Sequence, residues 1–127
     1  MKVPPRPLRQ FCLDIPGWRP VLSNELLGGH HMKAAALKKR DVEQVARAKL
    51  VYGVPDATGK RRIRITIRRC KGRIPDPDSP LKSLMDALKQ TRLIVDDSAR
   101  WCECAMPEFV TGPKGTVIEI EDCDYET

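Results

Sequence analysis

The 127 residues carry 23 Lys and Arg against 17 Asp and Glu, a net charge of +6, in a length that makes one domain with a real hydrophobic core. No apolar run approaches the ~20 residues of a membrane-spanning helix, and Met1-Lys2-Val3-Pro4-Pro5 opens on prolines where a signal peptide has an apolar stretch. The charge is unevenly split: residues 1–75 hold 18 basic and 5 acidic side chains, residues 76–127 hold 5 and 12, which suggests a cationic surface suited to phosphate backbones beside an acidic centre.

Residues 1–10, rich in proline and arginine, read as a loose arm. Phe11 to Ile15 reads as a short strand stopped by Pro16-Gly17, and Trp18 to His31 as an irregular loop holding Pro20, Asn24 and Gly28-Gly29. His30 and His31, a pair in that loop, read as solvated side chains ahead of ligands. From Met32 to about Val51 the chain is rich in Ala, Leu and Lys without Gly or Pro, and Leu37, Val42, Val45, Ala46 and Leu50 approximate the apolar stripe of a helix. Its polar side carries Lys38, Lys39, Arg40, Arg47 and Lys49.

Arg61 to Cys70 is the clearest strand. Ile63, Ile65 and Ile67 alternate with Arg62, Arg64, Thr66 and Arg68, a period of two with β-branched residues on one face and guanidinium groups on the other. Arginine suits phosphate because its planar fork donates two parallel hydrogen bonds. With Lys60, Arg69, Lys71 and Arg73 close by, the strand is expected to contact nucleic acid, the alternative being a solvated outer face. Leu81, Leu84, Met85 and Leu88 then fall at i, i+3, i+4 and i+7, the apolar face of a second helix reaching about Thr91. Leu93-Ile94-Val95 leads to Asp96-Asp97. Trp101 to Val110 and Thr116 to Glu121 read as two strands hinged at Gly112-Pro113-Lys114-Gly115, with residues 122–127 an acidic, frayed tail. The expectation is an α+β domain with a mixed sheet, helices packed on it, and the order β-α-β-α-β-β.

Five cysteines (Cys12, Cys70, Cys102, Cys104, Cys123) are an odd number, and Cys102-Glu103-Cys104 has no second ligand pair to complete a zinc site. Free thiols in a reducing cytoplasm are expected.

The chemistry concentrates between Asp76 and Asp97. Ser79-Pro80 is a good helix start, serine capping and proline opening the first turn, which puts Lys82 at the third helical position. A glutamate or glutamine completes a capping box there, and the helix dipole disfavours a cation by about 0.3–1 kcal/mol. Local helix stability therefore does not explain Lys82, whereas neighbouring anions do. Asp76 and Asp78 flank Pro77, which biases Asp76 toward extended backbone; side chains two apart then face one spot. Two carboxylates so placed call for a neutralising cation or proton, and hard divalent cations take such oxygen ligands. Of Asp96-Asp97, adjacent on the chain, only one is expected to join fully. Each motif alone is also ordinary turn and capping composition.

Asp76-x-Asp78-x-x-x-Lys82, Asp86-Ala87-Leu88 and Asp96-Asp97-Ser98 together resemble, with gapless spacing across residues 72–98, the RusA family of Holliday-junction resolvases; Ser79 stands where that family has asparagine. The resemblance implies metal-binding catalytic carboxylates at Asp76, Asp78 and Asp97, a secondary acidic position at Asp96, and a catalytic lysine at Lys82. It implies Mg²⁺, with Mn²⁺ a substitute, and a cytoplasmic homodimer, of bacterial or phage context and without a membrane, acting on four-way DNA junctions. Arg62, Arg64, Arg68, Arg69, Lys71, Arg73, Lys33, Lys38 and Lys39 are the expected backbone contacts, which position DNA without choosing a sequence. The competing readings are a non-catalytic nucleic-acid-binding protein and a hydrolase of small phosphate esters; the latter lacks a Gly-rich phosphate loop.

Overall fold

The computed structural model describes residues 9–22, 31–69, 75–76 and 78–123, without the side chains of residues 31–33. The strands β1 (Gln10–Pro16), β2 (Arg61–Arg69), β3 (Cys102–Cys104), β4 (Glu108–Thr111) and β5 (Gly115–Asp122) form one mixed sheet, with helices α1 (His31–Tyr52) and α2 (Leu81–Gln90) between the first three. This is the expected α+β domain. β5 lies between β1 and β2 and is antiparallel to both, while β3 and β4 follow each other along the far side of β2, parallel to it.

The expected final hairpin is therefore corrected. β4 and β5 flank β2, and Gly112-Pro113-Lys114 carries the chain across the end of that strand, a span of two inter-strand spacings or about 10 Å. A two-residue hairpin turn is too short for that step. The expected strand from Trp101 to Val110 is likewise split, since Ala105-Met106-Pro107 interrupts pairing with β2.

One sheet face is apolar because β1, β2 and β5 alternate. Leu13, Ile15, Ile63, Ile65, Ile67, Ile118 and Ile120 bury their side chains there against Val45 and Ala48 of α1 and Leu84, Ala87 and Leu88 of α2. The buried side of α1 is Asp41, Val45 and Ala48. Leu50, expected on the stripe, is 83% exposed; nine residues beyond Asp41, it points about 180° away from it at 3.6 residues per turn.

Both expected loose ends are partly tied. Asp122, assigned to the frayed tail, closes β5 and its backbone N–H donates to the Arg9 carbonyl at 2.9 Å. Its carboxylate receives Arg9 Nε at 2.6 Å and Arg61 Nε at 2.7 Å. Arg61, buried on the core side of β2, also donates to the Pro55 and Leu93 carbonyls and lies 5.5 Å from the Phe11 ring centroid. Residues 1–8 and 124–127 lie outside the described residues, as do 23–30 of the expected loop.

Among the described residues no helix is long and apolar enough to cross a membrane.

Candidate functional site

α2 begins one residue later than its sequence implies. Pro80, in αR conformation, occupies the cap position, and a turn from Asp76 to Leu81 leads in: Ser79 N–H donates to the Asp76 carbonyl at 2.9 Å and Leu81 N–H to the Asp78 carbonyl at 3.1 Å. Lys82 is thus the second helical residue, still within the first turn, and that turn holds no acidic residue. Asp76, Asp78 and Lys82 are all exposed. No hydrogen bond or ion pair engages their side chains among the described residues.

At its other end α2 closes on a Schellman turn. Arg92 N–H donates to the Lys89 carbonyl and Leu93 N–H to the Leu88 carbonyl, with Arg92 at φ +63°, a conformation that favours glycine. The turn drives Leu93 and Ile94 into the core and delivers Asp96 and Asp97 just outside it. Asp96 is consumed locally. The Asp97 backbone N–H, then the Ser98 hydroxyl, hold its carboxyl below the usual carboxylate range, with Lys89 3.8 Å away. Asp97 is exposed and close enough to Cys102 to help raise that thiol. One of the pair was expected to join Asp76 and Asp78; Asp97 is the more exposed of the two.

Asp96 and Asp97 nevertheless follow the end of α2 opposite to the one that Asp76 and Asp78 precede. Asp76 follows the C-terminal end of β2, whereas Asp97 precedes β3, whose Cys102 pairs with Arg61 at the N-terminal end of β2. α2 itself, 10 residues or about 15 Å long, separates them. Among the described residues no group of three or more His, Cys, Asp or Glu side chains is placed to hold a metal ion. The donor chemistry of Asp76 and Asp78 suits a hard cation, but one chain does not bring the four expected ligands together.

A buried carboxylate that sequence reasoning missed fixes the start of α2. Asp41 on α1 is 1% exposed. It accepts from Trp18 Nε1 at 3.0 Å, Val21 N–H at 2.9 Å and Ser83 Oγ at 2.7 Å. Three donors from three segments replace the water it has lost. Ser83 adjoins Lys82, so the network ties that end of α2 to α1 and to the loop after β1. Thr116 completes the tie by donating to the Trp18 carbonyl at 2.7 Å. An Asp amid the charged residues of an amphipathic helix gives no sequence signal of burial.

The outer face of the sheet carries Arg62, Arg64 and Arg68 as expected, but each of them meets a carboxylate there. Cross-strand register sets Arg62 between Glu121 and Glu103, and Arg64 beside Glu119. Arg62 pairs with Glu103 at 3.1 Å and Glu121 at 3.4 Å, Arg64 with Glu108 at 3.5 Å, and Arg68 with Asp14 at 2.9 Å. Opposite charges facing each other across strands stabilise a sheet modestly, and Asp14, Glu103, Glu108, Glu119 and Glu121 outnumber the three arginines they face. A shallow concavity of about 570 Å³ on it, between Cys12 and Arg64, is lined by both signs of charge. Arg68 reaches Asp14 by passing over Gly115, where a Cβ would lie 2.6 Å from its Nη2 and 3.2 Å from Pro16 Cα.

On α1, Lys38 and Lys39 are exposed. Lys71, Arg73, Cys70 and the side chains of Lys33, His30 and His31 lie outside the described residues. Cys12, Cys102, Cys104 and Cys123 are free thiols; burial, reinforced by Cys104, Asp97, Cys123 and Glu103, pushes Cys102 up to about 12. No protein-family model matches the chain, and no curated protein matches it in sequence.

Proposed function

We propose that the protein is a structure-specific DNA endonuclease of the resolvase type, a cytoplasmic homodimer that cuts Holliday junctions and related branched DNA by Mg²⁺-dependent phosphodiester hydrolysis. The observation that carries the reading is Asp76, Asp78 and Lys82 at the start of α2, exposed and engaged by no protein partner among the described residues. Arg62, Arg64 and Arg68 of the adjoining β2, by contrast, are paired with carboxylates. Charges left unpaired beside a helix N-terminus are available to a ligand. Lys82 adds its ammonium to the positive end of the α2 dipole, so a phosphate there meets a cation and free N–H groups together. As the bond breaks, Lys82 stabilises charge building on the phosphoryl or leaving oxygen. Asp76 and Asp78 offer oxygen ligands to the metal, which when bound supplies a Lewis acid and an acidified water.

Because Asp97 lies beyond the other end of α2, a second copy of the chain supplies it in this reading, which makes the dimer a requirement for chemistry and not only for symmetry. The test is subunit mixing on a labelled four-way junction with Mg²⁺. Asp78→Asn and Asp97→Asn each abolish nicking while junction binding in EDTA persists. Mixed dimers of the two restore one intact site in each heterodimer, giving about a quarter of wild-type nicking for random association of a two-fold dimer. Nicking retained by Asp78→Asn alone would remove that residue from the site; an inactive mixture would remove the shared arrangement.

A second reading, a binding protein without catalysis, is favoured by the lack of a three-carboxylate group within one chain among the described residues. It predicts no cleavage of branched DNA with Mg²⁺ or Mn²⁺ and junction binding unchanged by EDTA.

A further inference from the structure

We infer that nucleic acid is gripped by the outer face of α1, through Lys39, Arg40 and Arg47, and not by the arginine strand β2. This rests on the reading that the substrate is a nucleic acid, and it assigns the surface that holds it.

Two observations separate the candidate surfaces. The first is competition. Each outward arginine of β2 named above already has a carboxylate within 3.5 Å, and Glu119 stands opposite both Cys12 and Arg64 in register. A phosphate approaching that face must displace one anion and lie against others. The second is availability. Lys38, Lys39, Arg40 and Arg47 are exposed, and among the described residues none of them makes an ion pair or hydrogen bond. Glu43 is the one acidic residue exposed among them.

The spacing also fits. From Lys39 to Arg47 is eight residues, about 12 Å along a helix, and one DNA strand presents a phosphate every ~3.4 Å of axis. Three cations therefore span a run of about three to four phosphates. Arg40 and Arg47, seven residues apart, share one side of the helix, and Lys39 widens the stripe; Lys38, nine residues before Arg47, points to the other side. The position connects to chemistry through Asp41: the turn that reaches Ser83 with its inner face carries Lys39 and Arg40 away from it. A strand lying on α1 is thereby held at the level of Lys82.

The experiment is fluorescence anisotropy on a labelled four-way junction in EDTA, from 50 to 300 mM NaCl. It compares wild type, the triple variant Lys39→Gln/Arg40→Gln/Arg47→Gln, and Arg64→Gln, each checked by far-UV circular dichroism. The triple variant should lose at least 100-fold in affinity near 100 mM salt. Its slope of log K against log salt should fall by about two to three, at ~0.9 for each phosphate that no longer meets a cation. Arg64→Gln should bind within threefold of wild type. Near wild-type binding by a folded triple variant overturns this assignment and leaves the endonuclease reading standing. So does a loss for Arg64→Gln as large as that of the triple variant. Wild-type protein that binds no DNA at 50 mM salt, or binds only phosphatidylserine vesicles, overturns both. Intact binding without nicking by the wild type in Mg²⁺ removes the endonuclease reading alone.

Discussion

Replacing Asp41 tests the tie that positions α2. The carboxylate is 1% exposed and accepts three hydrogen bonds. In Asp41→Ala the Trp18 indole N–H and the Val21 amide lose their acceptor, while the Ser83 hydroxyl is able to rotate toward another. Two obligatory donors left buried at about 1–3 kcal/mol each, plus the vacated space, predict a loss of about 4 kcal/mol. Asp41→Asn is the sharper variant. One amide orientation sets its NH₂ against the Val21 N–H and Ser83, the other against the Trp18 indole; in either, one N–H faces another donor, at a cost of about 2 kcal/mol. A chain of this length has a total stability of about 6–19 kcal/mol, and a 2 kcal/mol loss lowers Tm by roughly 6–10 °C. Urea unfolding followed by tryptophan fluorescence reads it directly, because Trp18 is buried at one end of the bond being broken. In the Ser83→Ala background the Asp41→Asn cost should shrink by about 1 kcal/mol, since the two share a bond. A stability of Asp41→Asn within about 0.5 kcal/mol of wild type, the scatter of an inconsequential substitution, would refute the reasoning.

Other perturbations follow from single features. Gly115→Ala places a methyl group against Arg68 and the Pro16 backbone and should cost about 1–3 kcal/mol; Asp14→Asn added to it should cost nothing more, because the Arg68 bridge is already displaced, and additive losses in chemical denaturation would contradict this. Arg92→Gly relieves the positive φ and should raise stability by about 0.5–1 kcal/mol; a lower Tm would show that the Arg92 side chain contributes more than its backbone costs. Burial pushes the Asp122 carboxyl up, but the guanidinium groups of Arg61 and Arg9 outweigh it and hold the carboxyl below its ordinary value. The stabilisation it brings is therefore complete above the unfolded value near ~3.9 and is lost as pH falls through the lower folded value. Asp122→Asn should flatten the acid limb of stability against pH, and an unchanged limb would count against the pairing. Cys102, raised to about 12 by burial and neighbouring acidic groups, should stay unalkylated by iodoacetamide at pH 8 in the folded protein; peptide mapping that finds it modified would contradict its burial.

What was legible in the sequence was periodic. β2 announces itself because its alternation has one buried face, and α2 because Leu81, Leu84, Met85 and Leu88 share a helical side. Strand order was not legible: nothing local to β5 says that it slots between β1 and β2, since the partners are chosen by contacts across almost the whole chain. The arginines of β2 were read without their neighbours, and the carboxylates that pair with them come from β1, β3, β4 and β5. At the candidate site, exposure and the misplaced charge of Lys82 could be read from capping rules. The separation of Asp97 from Asp78 could not, because it depends on how far α2 carries the chain along β2.

The place of β5 has a consequence for how the molecule is made. Its residues bond to β1, about a hundred positions earlier, and to β2, so the centre of the sheet is the last of the described strands to be synthesised. Until it arrives, β1 and β2 have no contact with each other and expose Leu13, Ile63, Ile65 and Ile67 along unpaired edges. Sheets that depend on such distant pairing fold slowly, and chains waiting for it are prone to associate. Until β5 is made, the described part of the nascent chain is two helices and an unfinished sheet. The same late strand also delivers Thr116 to Trp18 and Asp122 to Arg61, so closing the sheet, securing the loop beneath α1 and neutralising the buried arginine are one event.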